Sequence, residues 1–191
     1  MKLYFIRHAP TENNVSGIMA QNYDDVPIIQ FNKTDWWNCV GMYLGHISPL
    51  CIYTSPVLRC HQTAECLFGV EGHPMSSISE FDCKGLGSKK FWKISKPEFE
   101  RLVPLTSADM AKQVELMLTM MSLRGKSKYA MVSHGMYIRY LYHYLTGNRT
   151  ISPYDVINSN GFSFGNLDML EVDMGNGAIM VHRYKEPIKR I

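Results

Sequence analysis

Leu3-Tyr4-Phe5-Ile6 is a short unbroken apolar run of aromatic and branched side chains, the pattern of a strand buried on both faces of a sheet. Leu50-Cys51-Ile52-Tyr53-Thr54 and Tyr129-Ala130-Met131-Val132-Ser133 repeat it. Met75 to Phe81 reads as another short strand, and Leu167 to Val172 with Ala178 to Tyr184 as a hairpin around Gly175-Asn176-Gly177. Between these runs the apolar spacing turns helical. Residues 33–46 predict a helix capped by Thr34 or Asp35, with Trp36, Trp37, Val40 and Leu44 available to pack. Ser55-Pro56 reads as N-cap and first helical residue of a second helix, which Gly69 ends. Ser95-Lys96-Pro97-Glu98 has the capping-box pattern and opens a short helix that stops before Pro104. From Thr106 or Ser107 onward, Met110, Val114, Met117, Leu118 and Met121 share one helical face. Ile138, Leu141, Tyr142 and Leu145 do the same in a last helix that Gly147 closes. Strands alternating with helices, with no repeat or linker, predict one α/β domain over residues 1–191.

Two stretches break the pattern. Thr11 to Phe31 is polar and irregular, carries Gly17, Asp24-Asp25 and Pro27, and reads as a long functional loop beside a strand end. Cys83 to Lys93 holds two glycines and four lysines and reads as the start of a lid, set at residues 83–105. Its lysines are a solvated face or, on a sharper reading, a contact for a second anionic group on a substrate.

Composition narrows the function classes. The 46% hydrophobic and 19% charged content is that of an ordinary soluble globular protein. The net charge of +3 favours anionic ligands, but no dense basic stripe or motif points to nucleic acid. Five scattered cysteines without a C-x-x-C pair argue against a disulfide framework or a structural zinc site. His46, His61, His73, His143 and His182 follow no metal-ligand spacing, so no metal or cofactor is expected. No secretory apolar region follows Met1 and no apolar run is long enough to span a membrane, so a cytoplasmic protein without a membrane partner is expected. Nothing in the pattern fixes an oligomeric state.

The chemistry collects at strand ends. The first strand delivers Arg7 and His8, the Tyr129–Ser133 strand delivers His134, and Arg59 lies just after a third strand end. In a parallel sheet those carboxyl ends share one edge. Two guanidinium groups and two imidazoles there make a pocket for a dianion, since a phosphoryl group spreads its charge over three oxygens that want fixed donors.

These residues stand in three ordered motifs. Leu3 to Asn14, with Arg7-His8-Ala9-Pro10-Thr11-Glu12-Asn13-Asn14, resembles the strand and Arg-His-Gly-x-Thr-x-x-Asn signature of the histidine phosphatase (phosphoglycerate mutase-like) superfamily. Ser55 to Glu65 is similar to its Ser-Pro-Leu-x-Arg-Ala-x-Gln-Thr-Ala-Glu block, and Val132-Ser133-His134-Gly135 to its Val-Ser-His-Gly block. Ala9 and Cys60 depart mildly from the usual Gly and Ala, and Ile28 to Val40 diverges strongly, which bears on substrate rather than chemistry. Asn158-Ser159-Asn160 resembles the family's Asn ahead of the last strand.

The resemblance implies a three-layer α/β/α sandwich with a mostly parallel sheet. It implies a metal-independent phosphomonoester hydrolase that forms a phosphohistidine on His8, with Arg7, Arg59, Asn14 and His134 on the phosphate and Thr11 in support. His134 is counted with the catalytic residues. The proton donor is Glu80, or alternatively Asp82, because the segment Ile78 to Gly85 carries its glycine one residue late. A small phosphorylated metabolite is the expected partner. A phosphoglycerate-type mutase, a phosphohistidine protein phosphatase and an inactive phosphate-binding regulatory module stay open as alternatives.

Overall fold

The computed structural model describes residues 1–17, 26–44, 51–83, 86, 94–158 and 163–184. Six strands form one sheet: β1 (Lys2–Arg7), β2 (Cys51–Thr54), β3 (His73–Pro74), β4 (Lys128–Ser133), β5 (Met169–Asp173) and β6 (Ala178–His182). Their order is β3-β2-β4-β1-β5-β6. The pairs β3-β2, β2-β4 and β4-β1 are parallel, whereas β5 runs antiparallel to β1 and β6 antiparallel to β5. Seven α-helices lie among the described residues: α1 (Glu12–Ser16), α2 (Lys33–Cys39), α3 (Leu58–Phe68), α4 (Lys96–Leu102), α5 (Ser107–Arg124), α6 (Gly135–Leu145) and α7 (Pro153–Asn158).

β1 shows why the sheet takes helices on both faces. Leu3 and Phe5 pack with Met110, Val114, Met117 and Tyr137 of α5 and α6. Tyr4 and Ile6 point the other way, against Trp36, Val40 and Leu67 around α2 and α3. Each such side chain fully buried stabilises the fold by roughly 1.5–3 kcal/mol over leaving it exposed. The expected α/β/α layering follows, with β5 and β6 as the antiparallel edge.

Several local expectations need correction. The helix expected over 33–46 ends at Cys39, and Gly41–Leu44 continues as a 3-10 turn. Its cap is Asn32 rather than Thr34 or Asp35, because the Asn32 Oδ1 accepts from both Thr34 N and Asp35 N. The strand expected over Met75–Phe81 is only His73–Pro74, and a 3-10 turn follows at Ser76–Ile78. Here Ser133 Oγ donates to Ile78 O at 2.6 Å and Gln113 Nε2 to Ser79 O at 2.8 Å, which draws the chain off the sheet edge. Ser95 holds the N-cap position of α4 but makes no side-chain cap bond. Thr106 and Asp109 form the capping box instead, at the start of α5. Leu118 is half-buried, while Met110, Val114, Met117 and Met121 are fully buried as expected. α1 inside the expected long loop, and α7, had no sequence expectation. The lysine-rich stretch of the expected lid, 84–85 and 87–93, lies outside the described residues, as do His46, Ser159 and Asn160.

The Thr106 box is exposed and away from the strand ends, so it offers a test of helix energetics alone. Thr106→Ala should cost about 1 kcal/mol and lower the thermal midpoint by roughly 2–4 °C, read in a melting curve, with the ligand-binding properties unchanged.

Candidate active site

Strand register assembles the site. Arg7 of β1 pairs with Ser133 of β4, so the next residues, His8 and His134, leave the sheet side by side. His8 N donates to Ser133 O at 2.9 Å, and the two imidazoles stand edge to face with centroids 5.4 Å apart. On the other side of β4, Thr54 pairs with Val132 and Ser55 N donates to Val132 O. The chain then turns into α3, whose first turn carries Arg59 beneath the two rings. Arg59 is fully buried, and its Nη2 lies 3.3 Å from His134 Nδ1.

His8 is held in one tautomer. Its Nδ1 lies 2.7 Å from Ala9 O, an oxygen that can only accept, so Nδ1 carries the proton and Nε2 keeps its lone pair. The Ala9 peptide is itself anchored, because Ala9 N donates to Thr63 Oγ1 at 2.9 Å while Thr63 Oγ1 donates to Arg59 O at 2.6 Å. One α3 hydroxyl therefore ties the helix that carries Arg59 to the carbonyl that orients His8. Burial, then the charges of Arg59 and Arg7, hold His8 well below the ordinary histidine range, against the opposing pull of Ala9 O. His134 is pushed the same way by burial, His8, Arg59 and Arg7. Both rings are neutral near pH 7.

Two contacts set Arg7. Its Nη1 donates to Phe164 O at 2.5 Å, and its Nε is buried without an acceptor among the described residues. Its guanidinium also lies on the start of α6, where a Cβ at Gly135 would come 3.1 Å from Arg7 Nε and 3.2 Å from Cζ. Burial, with Arg139 and Arg59 nearby, lowers its pKa to about 10, which leaves it charged at neutral pH.

Glu80 arrives from the segment that leaves the sheet edge. Its Oε1 accepts from Tyr137 N at 2.9 Å and its Oε2 from Met136 N at 3.3 Å, at the amino end of α6. Burial raises its pKa, and the backbone N–H groups of Met136 and Tyr137 and the charge of Arg59 oppose the rise. Asp82, two residues on, is exposed. Of the two expected acids, the half-buried Glu80 is the one set against the strand-end cluster.

Asn14 closes the capping box of α1 with Thr11, its Oδ1 accepting from Thr11 N and Thr11 Oγ1. A third donor to that oxygen is Asn166 Nδ2 at 3.2 Å, which also lies 2.9 Å from His8 O. Asn166 is the residue sequence reasoning missed. In the segment Asn158–Asn160, which resembles the family's Asn ahead of the last strand, Asn158 Nδ2 donates to Tyr154 O within α7, and Ser159 and Asn160 lie outside the described residues. The available signal was Gly165-Asn166, a turn pair two residues before β5. Asp168 holds that turn, its Oδ2 accepting from Gly165 N at 2.7 Å and Arg183 Nη1 at 2.6 Å.

Cys60, where the family pattern has Ala, is fully buried with its Sγ 3.6 Å from His134 Nε2. Burial pushes the thiol up to about 12, so it is neutral and offers no thiolate. Among the described residues, no three His, Cys, Asp or Glu side chains are grouped to hold a metal ion, and no helix is long and apolar enough to cross a membrane.

A six-stranded mixed sheet that brings two arginines and two neutral imidazoles to one edge defines an α/β protein with a cationic cluster at that edge. The chain belongs to the histidine phosphatase superfamily (branch 1), whose family model matches residues 3–184, and so to a family of phosphatase enzymes. No curated protein matches it in sequence. Among solved structures, a mutant phosphoserine phosphatase from Entamoeba histolytica in complex with phosphoserine is 19% identical, with 94% of each chain covered and a TM-score of 0.73. The phosphoserine phosphatase of the same organism in complex with 3-phosphoglyceric acid is 20% identical over 98% of each chain, with a TM-score of 0.68. A putative α-ribazole-5′-phosphate phosphatase from Escherichia coli is 15% identical over 95% of each chain, with a TM-score of 0.69. At these identities the likeness is one of fold.

The tight seat of Arg7 on Gly135 gives a direct test. Gly135→Ala should displace the guanidinium by a few tenths of an ångström and weaken inorganic phosphate binding roughly ten- to hundredfold, measured by calorimetry, with the melting temperature little changed.

Proposed function

We propose that the chain is a metal-independent phosphomonoester hydrolase that acts on a small phosphorylated metabolite through a phosphohistidine on His8. The observation that carries this reading is the His8 ring itself. It is buried, neutral, locked by Ala9 O with its Nε2 unprotonated, and set beside Arg7, Arg59 and His134.

The reaction runs in two displacements. His8 Nε2 attacks phosphorus as the ester P–O bond breaks, and Glu80, protonated, donates its proton to the leaving oxygen. Arg7, Arg59 and the Asn14 amide hold the phosphoryl oxygens as their charge redistributes, with His134 set against Arg59. Water then attacks phosphorus, Glu80 as carboxylate takes its proton, and the N–P bond breaks to return neutral His8 and inorganic phosphate. The raised Glu80 pKa supports its place over Asp82, since a general acid must hold its proton before attack. The phosphoserine phosphatase and putative α-ribazole-5′-phosphate phosphatase likenesses make small phosphate monoesters the class to screen. A mutase shares the first displacement and differs in passing the phosphoryl group to a second hydroxyl rather than to water.

Hydrolysis of an aryl phosphate in the presence of chelator tests the proposal. Turnover that survives chelation and vanishes in His8→Ala is the expected result. Phosphate binding without turnover across a panel of natural phosphoesters would mean a binding module instead, and conversion of 3-phosphoglycerate to 2-phosphoglycerate a mutase.

The pH profile follows from the two shifts. His8 is held neutral below the ordinary histidine range, so activity should persist as pH falls below about 6.5. Glu80 is held protonated above the ordinary carboxylate range, so activity should be lost as pH rises through its raised pKa. Glu80→Gln should remove that alkaline limb and slow alkyl phosphates by about 10²- to 10⁴-fold, with a smaller effect on aryl phosphates, whose leaving groups need no proton.

A further inference from the structure

By sequence Ser55 is a helix cap, but α3 begins at Leu58 and the cap position falls on Val57, which makes no side-chain cap bond. The Ser55 hydroxyl lies instead 2.7 Å from His134 Nε2, and both residues are buried. Strand register puts it there, since the bond from Ser55 N to Val132 O extends the β2-β4 ladder to the residue beside His134. On the opposite edge of the ring, Arg59 Nη2 approaches Nδ1. A guanidinium has donors only, so Nδ1 presents its lone pair to Arg59 and the ring proton sits on Nε2, donated to Ser55 Oγ. His8 carries the reverse tautomer, with its proton on Nδ1 toward Ala9 O. Two neighbouring imidazoles are thus set in opposite tautomers by two different oxygens.

We propose that Ser55 is the positioning residue of His134: its hydroxyl, by accepting from Nε2, fixes the ring rotation and keeps the Nδ1 lone pair on Arg59 Nη2, so that the ring holds the guanidinium in place. The other polar neighbour of Nε2 is the Cys60 thiol at 3.6 Å, a weak acceptor that cannot replace a hydroxyl. Without Ser55 the ring has no oxygen to hold its buried N–H, and a flip would turn carbon rather than nitrogen to Arg59. The charged and titratable groups around the ring are Arg7 and His8 at the end of β1 and Arg59 and Cys60 from α3; none of them supplies that oxygen. The importance of this for turnover rests on the phosphatase reading, whereas the tautomer does not.

Long-range 1H–15N spectra of the histidine side chains in the intact protein read the tautomers directly, with the His134 signals assigned by their loss in His134→Gln. The expected spectrum shows Nε2 protonated in His134 and Nδ1 protonated in His8. Ser55→Ala should lower kcat on an aryl phosphate about ten- to hundredfold with KM far less affected, and shift the His134 signals to a tautomer mixture. Ser55→Thr, which keeps the hydroxyl, should restore most of the turnover. A proton on Nδ1 of His134 in the intact protein overturns the proposal, and so does a Ser55→Ala protein with intact turnover and an unshifted spectrum. If Ser55→Ala does not fold, the spectrum of the intact protein decides alone. An Nε2-protonated His134 in a protein inert toward every phosphoester would uphold the Ser55 assignment while the phosphatase reading fails.

Discussion

The parallel pairing of β1 with β4, Arg7 opposite Ser133, is the constraint on which the site depends. Because the strands run together and stop together, the residues that follow them emerge adjacent, and both are histidines. The core enforces that register. A slip of one residue would exchange Phe5 and Ile6 between the methionine-rich cluster under α5 and the tryptophan-lined cluster under α2. The hydrophobic effect acting over the whole strand thus sets a geometry that the few hydrogen bonds at its end could not hold by themselves.

Concentrating cations at one sheet edge carries an electrostatic cost, and the fold meets it by keeping the titratable groups neutral where it can. Burial and the arginines leave both histidines uncharged, so the fixed positive charge comes from guanidinium groups. Glu80 is the acidic counterpart, poised between two influences. Desolvation favours its protonated form, while the N–H groups at the start of α6 favour the carboxylate.

Much of this was legible in the sequence, and the reasons are physical. Apolar runs too short for helices announced β1, β2 and β4, and Arg7, His8, Arg59 and His134 follow from which residues stand at their ends. What escaped was side-chain commitment. Ser55 carries the chemistry of a helix cap, and only the neighbouring strand shows that its hydroxyl goes to His134. Met75 to Phe81 has the composition of a strand, yet bonds from Gln113 and Ser133 draw it away from the sheet. Both misreadings concern partners distant in sequence, which local propensity cannot register.

Asn166 was the least legible of all, and its placement shows how the site uses strain. Leu167, the next residue, has φ +63°, a left-handed conformation that a bulky side chain adopts at a cost of order 1–3 kcal/mol. The cost is offset locally, because Leu167 N donates to Arg7 O, Trp36 Nε1 donates to Leu167 O, and the side chain is fully buried among apolar neighbours. The kink turns the Asn166 amide onto His8 O and Asn14 Oδ1. With three donors already on its oxygen, Asn14 has its NH2 as the remaining polar end, the one suited to an anion. A strained leucine on the far side of β1 is therefore tied to His8 and Asn14 through the amide of the residue before it.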